Sequence, residues 1–145
     1  MRLSLETCWE HLRAADHGVL STVASQHIDA VPVCFVVVDD AIASPVDRVK
    51  AKETTELGRL KNLDRSPLAT LLCERWVADD WSQLWWVRAR LHRLGDDQTS
   101  PAFRRECEAA LREKYPQYRQ AEFAHLLVFD VTSVSGWQAG DDAAQ

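Results

Sequence analysis

Val31-Pro32-Val33-Cys34-Phe35-Val36-Val37-Val38 is the strongest strand signal in the chain, and Asp39-Asp40 separates it from a second apolar run, Ala41-Ile42-Ala43-Ser44. β-Branched and aromatic residues suit a pleated surface, and an acidic pair between apolar runs reads as a tight turn. Upstream, Gly18 opens Val19-Leu20-Ser21-Thr22-Val23-Ala24, which a polar break at Ser25-Gln26-His27 separates from the central run. Three strands joined by links this short are antiparallel, because parallel neighbours need a crossover of a dozen residues or more.

Working outward, residues 4–15 read as a helix. Ser4 caps it, and Leu5, Cys8, Trp9 and Leu12 fall at helical spacing. Beyond Ser44 the period changes. Leu57, Leu60 and Leu63 predict a helix over 54–65 that Ser66-Pro67 ends. Leu68 to Trp76 is a further strand. Trp85, Val87, Ala89 and Leu91 alternate with Trp86, Arg88, Arg90 and His92, the mark of a half-buried strand. Ser100-Pro101 starts a helix with a stripe of Phe103, Cys107, Ala110 and Leu111, stopped at Tyr115-Pro116. Leu126 to Val134 forms the last strand, followed by Ser135-Gly136-Trp137. Six largely antiparallel strands without a βαβ period leave long open edges, which closure into a barrel removes. The expected fold is mainly β, a six-stranded antiparallel barrel with about three flanking helices.

The chain has 145 residues, 46% apolar and 27% charged, with 5 Gly and 5 Pro. These values predict one domain over residues 1–145, with 140–145 a polar tail, and exclude disordered or collagen-like chains. No apolar run approaches the ~20 residues of a membrane helix, and the start carries charge where a signal peptide is apolar. A soluble, cytoplasmic protein with no membrane partner is expected. Seventeen Lys and Arg against 22 Asp and Glu give −5, which repels a nucleic-acid backbone. One stretch departs from this balance. Arg48, Lys50, Lys52, Arg59 and Lys61 outnumber Glu53 and Glu56, a local excess suited to one phosphorylated small molecule. Cys8, Cys34, Cys73 and Cys107 are dispersed, and the five His show no ligand spacing, so neither a disulfide framework nor a metal is predicted.

No G-x-S-x-G, P-loop or G-x-G-x-x-G occurs, and the pairs Asp39-Asp40, Asp79-Asp80, Asp96-Asp97 and Asp141-Asp142 sit at expected turns or ends. No catalytic side chain is therefore assigned. An enzyme built on this chain relies on an organic cofactor for the reaction. The best place to hold one is Lys50-Ala51-Lys52-Glu53-Thr54-Thr55, where two ammonium groups and two hydroxyls meet the amide end of a helix. Tryptophan is the second signal. Four of the six, Trp76, Trp81, Trp85 and Trp86, fall within eleven residues. Alternation sends Trp85 and Trp86 to opposite faces, so one packs in the core and the other covers a subunit interface or a flat conjugated ring.

Gly18-Val19-Leu20-Ser21-Thr22-Val23, Val31-Pro32-Val33-Cys34-Phe35, Lys50-Ala51-Lys52, Leu60-Lys61-Asn62-Leu63 and Ser66-Pro67-Leu68-Ala69-Thr70-Leu71-Leu72 resemble the pyridoxamine-phosphate-oxidase-like split barrel. Asp80-Trp81-Ser82-Gln83-Leu84-Trp85-Trp86-Val87-Arg88-Ala89, Lys114-Tyr115-Pro116-Gln117-Tyr118 and Ser135-Gly136-Trp137 resemble its subgroup that uses the deazaflavin F420. The resemblance covers roughly residues 5 to 139. It implies a homodimer with cofactor sites between the barrels. Lys50, Lys52, Thr54 and Thr55 would hold the phosphate, and Val31, Pro32, Val33, Ser44, Pro45 and Val46 would edge the ring, with Trp85 and Trp86 candidate ring-lining residues. The implied activity is hydride transfer between F420 and a small organic substrate. The alternatives are FMN in the same fold, or a carrier that binds without turnover. Arg48, Arg59 and Lys61 are candidates for the F420 tail. Two features depart from the pattern: Gln26-His27-Ile28-Asp29 replaces a glycine-rich turn, and Pro45 removes an amide donor beside the ring.

Overall fold

The structure is a computed structural model that describes residues 1–47 and 53–140, with the side chains of 47 and 53–57 excepted. Helix α1 (Leu5–Ala14) precedes strands β1 (Gly18–Val23), β2 (Ile28–Val33), β3 (Val36–Val38) and β4 (Ala41–Asp47). Helix α2 (Glu53–Arg65) leads to β5 (Leu68–Arg75) and β6 (Trp85–Leu94), and α3 (Pro101–Lys114) leads to β7 (Phe123–Gln138). The two expected serine caps are present: Ser4 accepts from the Thr7 amide at 3.2 Å, and Ser100 accepts from the Phe103 amide at 3.0 Å. Asp39, in the turn between β3 and β4, takes a left-handed φ of 52°, a conformation Asp tolerates better than most residues.

All pairings are antiparallel, and the strands form one sheet in the order β2-β1-β5-β6-β7-β4-β3. Its two edge strands, β2 and β3, are separated in sequence only by Cys34 and Phe35. Seven strands laid flat would span about 29 Å, whereas the three Cα–Cα steps from Val33 to Val36 reach at most ~11 Å. The sheet must therefore curl until its edges meet. Because β2 and β3 pair with β1 and β4 and not with each other, the barrel stays split at this seam. The sheet has seven strands where six were expected, and its split at the seam is the split barrel that the resemblance implied.

The extra strand arises because the run Val31–Val38 is broken at Cys34-Phe35. Phe35 is fully buried, and side chains take the backbone groups that a continuous strand would give to neighbours. Tyr115 Oη accepts from the Phe35 amide at 3.1 Å, Lys114 Nζ donates to the Phe35 carbonyl at 2.8 Å, and Ser44 Oγ donates to the Cys34 carbonyl at 2.7 Å. Buried backbone groups need partners, and these satisfy the corner without a ladder.

The barrel interior is filled by Leu20, Leu71, Val87, Ala89, Leu91, Ile42, Leu127, Phe129 and Phe35, all at 2% exposure or less. Cys107 and Leu111 of α3 cover the outer side of Val36, Val38, Ala43 and Val128. Both faces of Leu126–Phe129 are thus buried, which explains their unbroken apolar run. β7 extends through Ser135-Gly136-Trp137, beyond the expected end at Val134, because Gly136 receives the Leu3 amide at 3.0 Å and lies against β6. A Cβ at Gly136 would lie 2.9 Å from the Trp86 carbonyl oxygen and from Cys8 Sγ, so the close approach itself requires glycine. Among the described residues no helix is long and apolar enough to cross a membrane.

Candidate functional site

The seam gathers two of the expected segments. Ser44, Pro45 and Val46 of β4 are buried, and Ser44 is bonded to the Cys34 carbonyl just beyond Val33. Val33 and Val46 pack in the same core cluster as Phe35, with Val31 half-buried at its margin and Pro32 exposed on the outer face. The Val33 and Val46 side chains are used inside, so these two segments offer the seam their backbone edges and not those side chains. β3 begins with Val36 opposite Ala43, so among the described residues β4 has only β7 as a sheet neighbour from Ser44 onward. That open edge tolerates Pro45, which donates nothing to a ladder. Ser44 and Val46 are nonetheless only 1% and 2% exposed, so this unpaired side of β4 is covered within the chain.

β4 ends at Asp47 and α2 begins at Glu53. Lys50 and Lys52, with Arg48, lie outside the described residues, and Thr54 and Thr55 stand in the first turn of α2, their side chains likewise outside the description. Unpaired amides and the positive end of the helix dipole gather at that turn. What the structure adds is how α2 is held. Asn62, 3% exposed, donates to Asp29 Oδ2 at 2.7 Å and to Thr22 Oγ1 at 3.0 Å. Asp29 also faces His27 Nε2 at 3.1 Å. In the same last turn Asp64 receives Arg93 at 2.9 Å, and Leu63 enters the core. Arg59 is 8% exposed, so of the cations expected along the cofactor tail it is a buried one, while Lys61 is exposed.

The tryptophans separate as alternation requires. Trp85 points inward, half-buried, with the His11 ring of α1 stacked on it at 4.0 Å and 18°. Desolvation by burial lowers the His11 pKa, so its ring favours the neutral form. Trp86 lies on the outer face with the Arg88 guanidinium 5.4 Å from its ring centre. It stands three strands from Val33, roughly 14 Å across the sheet. Within one chain, then, the structure unites Val31–Val33 with Ser44–Val46 and leaves Trp85 and Trp86 elsewhere.

Lys114, Tyr115 and Asn62 were not singled out as site residues by sequence. Desolvation lowers the Lys114 pKa, and its ammonium sits 4.3 Å from the centre of the Phe35 ring. Burial pushes the Tyr115 phenol up to about 12, and its hydroxyl also donates to the Asp16 carbonyl at 2.7 Å. The only signal was the Lys114-Tyr115-Pro116 motif, whose partners are some eighty positions away in sequence. A separate groove of about 490 Å³ lies between the ends of α2 and β6, but Asp64, Asp96 and Asp97 rim it and Arg93 is bound to Asp64. Its negative balance does not suit a phosphate.

No protein-family model matches the chain, and no curated protein matches it by sequence. Solved structures do. An FAD-binding protein from Mycobacterium smegmatis superposes with a TM-score of 0.64 at 16% identity, covering 97% of this chain and 99% of that one. An FMN-binding protein from Syntrophomonas wolfei gives 0.65 at 16%, covering 93% and 89%. A candidate pyridoxamine 5'-phosphate oxidase from Corynebacterium glutamicum gives 0.62 at 12%, covering 96% and 98%. With its single curled sheet, its unpaired seam and its helices outside, the chain has the fold of the pyridoxamine 5'-phosphate oxidase-like split barrel.

Proposed function

We propose that the chain is an oxidoreductase that binds a flavin-type cofactor along the seam, with F420 favoured by the Trp85-Trp86 and Lys114-Tyr115-Pro116 motifs. The single observation that carries this reading is the succession of a β4 edge at Ser44–Val46 that β3 does not pair and, with five residues between Asp47 and Glu53, the amide terminus of α2. A tricyclic ring seeks backbone donors and acceptors along one edge, and its phosphate seeks a helix N-terminus. Lys50 and Lys52 add charge to that end, and Thr54 and Thr55 add hydroxyls. The bound group supplies hydride transfer to a small organic substrate. The chain contributes position and a dry face. FMN is the second reading, favoured by structural neighbours whose names specify FMN or FAD binding. A carrier without turnover shares the same site, since the reading assigns no side chain there a catalytic role.

The outer face of β1, β2 and β5 supports a homodimer. Val23, Ile28, Leu68 and Leu72 are 43%, 70%, 57% and 38% exposed, and pairing register with alternation places them on one surface. A second copy would cover that apolar surface, with Arg88 of β6 beside Leu72 at its margin. Four free cysteines fit a reducing compartment such as the cytoplasm.

Titration of the purified protein with FMN, FAD and F420 tests the assignment. F420 quenches tryptophan fluorescence without a flavin band, whereas FMN brings the yellow oxidised spectrum. Lys50→Ala with Lys52→Ala is expected to weaken the bound cofactor by about 1.5–3 kcal/mol per lost charge-assisted contact. Saturable binding of none of the three sinks the reading. Turnover of an enone or dye with the reduced cofactor separates enzyme from carrier.

A further inference from the structure

We propose that Lys114 and Tyr115 are positioning residues for the ring-binding edge, setting the spacing between Val31–Val33 and Ser44–Val46 from the end of α3. The inference rests on the flavin-type reading above and assigns a role within that site. The two segments face each other across the seam without a shared ladder, so strand pairing does not fix their separation. The contacts at Cys34 and Phe35 do. Tyr115 Oη accepts from the Phe35 amide at 3.1 Å and has one proton to give, with the Asp16 carbonyl at 2.7 Å and the Phe35 carbonyl at 3.0 Å in reach. Lys114 Nζ, at 2.8 Å, supplies the Phe35 carbonyl, which frees the tyrosine proton for Asp16. Ser44 Oγ closes the assembly on the Cys34 carbonyl at 2.7 Å.

Three elements thus converge on two peptide units: the α1–β1 link at Asp16, the C-terminal end of α3, and β4. The ammonium is half-buried and lies over the Phe35 and Tyr115 rings, at 4.3 and 5.3 Å from their centres. Burying a Lys head costs free energy unless its partner is well placed. The Phe35 carbonyl at the corner is that partner.

Helix α2, whose first turn is the expected phosphate end, has a different anchor, placed in its last turn. Asn62 ties α2 to Thr22 and Asp29, at the far end of β2 from the corner, four residues or ~13 Å along the strand from Val33. Two independent anchors mean separable effects. Loosening the corner changes how the ring is held and leaves the phosphate contacts alone.

The test uses the full chain, well below its melting temperature, and each cofactor beside its phosphate-free ribityl counterpart (FMN with riboflavin, F420 with its ring-and-ribityl core). Tyr115→Phe and Lys114→Met are expected to weaken both members of a pair by the same factor, about ten-fold for one lost hydrogen bond. Their affinity ratio stays constant, and Lys114→Arg, which keeps a donor, remains near wild type. Lys50→Ala with Lys52→Ala changes the ratio instead. Ser44→Ala, which removes only the donor to Cys34, gives the same readout if Tyr115→Phe does not fold. A lower melting temperature with both affinities within two-fold of wild type overturns the positioning role and leaves flavin binding standing. A wild-type protein that binds no member of either pair overturns the flavin reading, and the positioning role with it.

Discussion

Replacing Asn62 by Ala removes both bonds that pin α2 to the β1–β2 hairpin. The bond to Thr22 is neutral and buried, worth about 0.5–1.5 kcal/mol, and the bond to Asp29 is charge-assisted, worth about 1.5–3. Asp29 is 44% exposed at its side chain and faces His27, so water recovers part of the second loss. Thr22 is 3% exposed, and its hydroxyl loses a donor that water does not replace. The balance is a destabilisation of about 2–3 kcal/mol. Unfolding entropy of about 2.1 cal/mol/K per residue over 145 residues gives ~0.3 kcal/mol/K, so melting should fall by roughly 7–10 °C. Urea unfolding followed by tryptophan fluorescence measures the loss. A double-mutant cycle with Thr22→Val isolates the buried bond, with an expected coupling of at least about 0.5 kcal/mol. A change below ~0.5 kcal/mol for Asn62→Ala would refute the reasoning, because a buried amide that can be deleted at no cost is not holding the helix.

Gly136→Ala puts a Cβ 2.9 Å from a backbone carbonyl that cannot swing away, so a loss of about 1–3 kcal/mol is expected in the same urea assay. Stability should also fall with alkali. Burial pushes Cys73 and Tyr115 up to about 12 and Cys107 up to about 11. The unfolded thiols release protons near 9 and the phenol near 10 while the fold retains them, so stability is complete below about pH 9 and declines toward pH 12. Lys114, whose pKa is lowered, acts in the opposite sense as pH approaches 10.5. The urea midpoint is expected to drop from pH 8 to 10.5, and a midpoint that rises would contradict the burial of these groups. Leu68→Asp with Leu72→Asp should turn a species of twice 16.5 kDa into a monomer in sedimentation velocity, and an unchanged mass would remove this face as the subunit contact.

Neighbouring residues carried a large part of this molecule. Period-two alternation along Trp85–His92, helical spacing in Leu5–Leu12, and Ser4 and Ser100 as caps are relations within a few positions, and the folded chain keeps them. Short links settled the antiparallel sense. The site was only partly legible in the same way. Ser44–Val46 and the turn before α2 stood out by composition, whereas Asn62 read as an ordinary polar residue near a helix end. Tertiary structure decided that Val31–Val38 breaks at Phe35, that Trp85 lies under His11 while Trp86 faces outward, and that Lys114 and Tyr115 serve a corner eighty residues away. The physical reason is reach. A strand or helix is selected by contacts its own sequence repeats, but a buried carbonyl accepts any donor the curled sheet brings within 3 Å, and no local period records which one arrives.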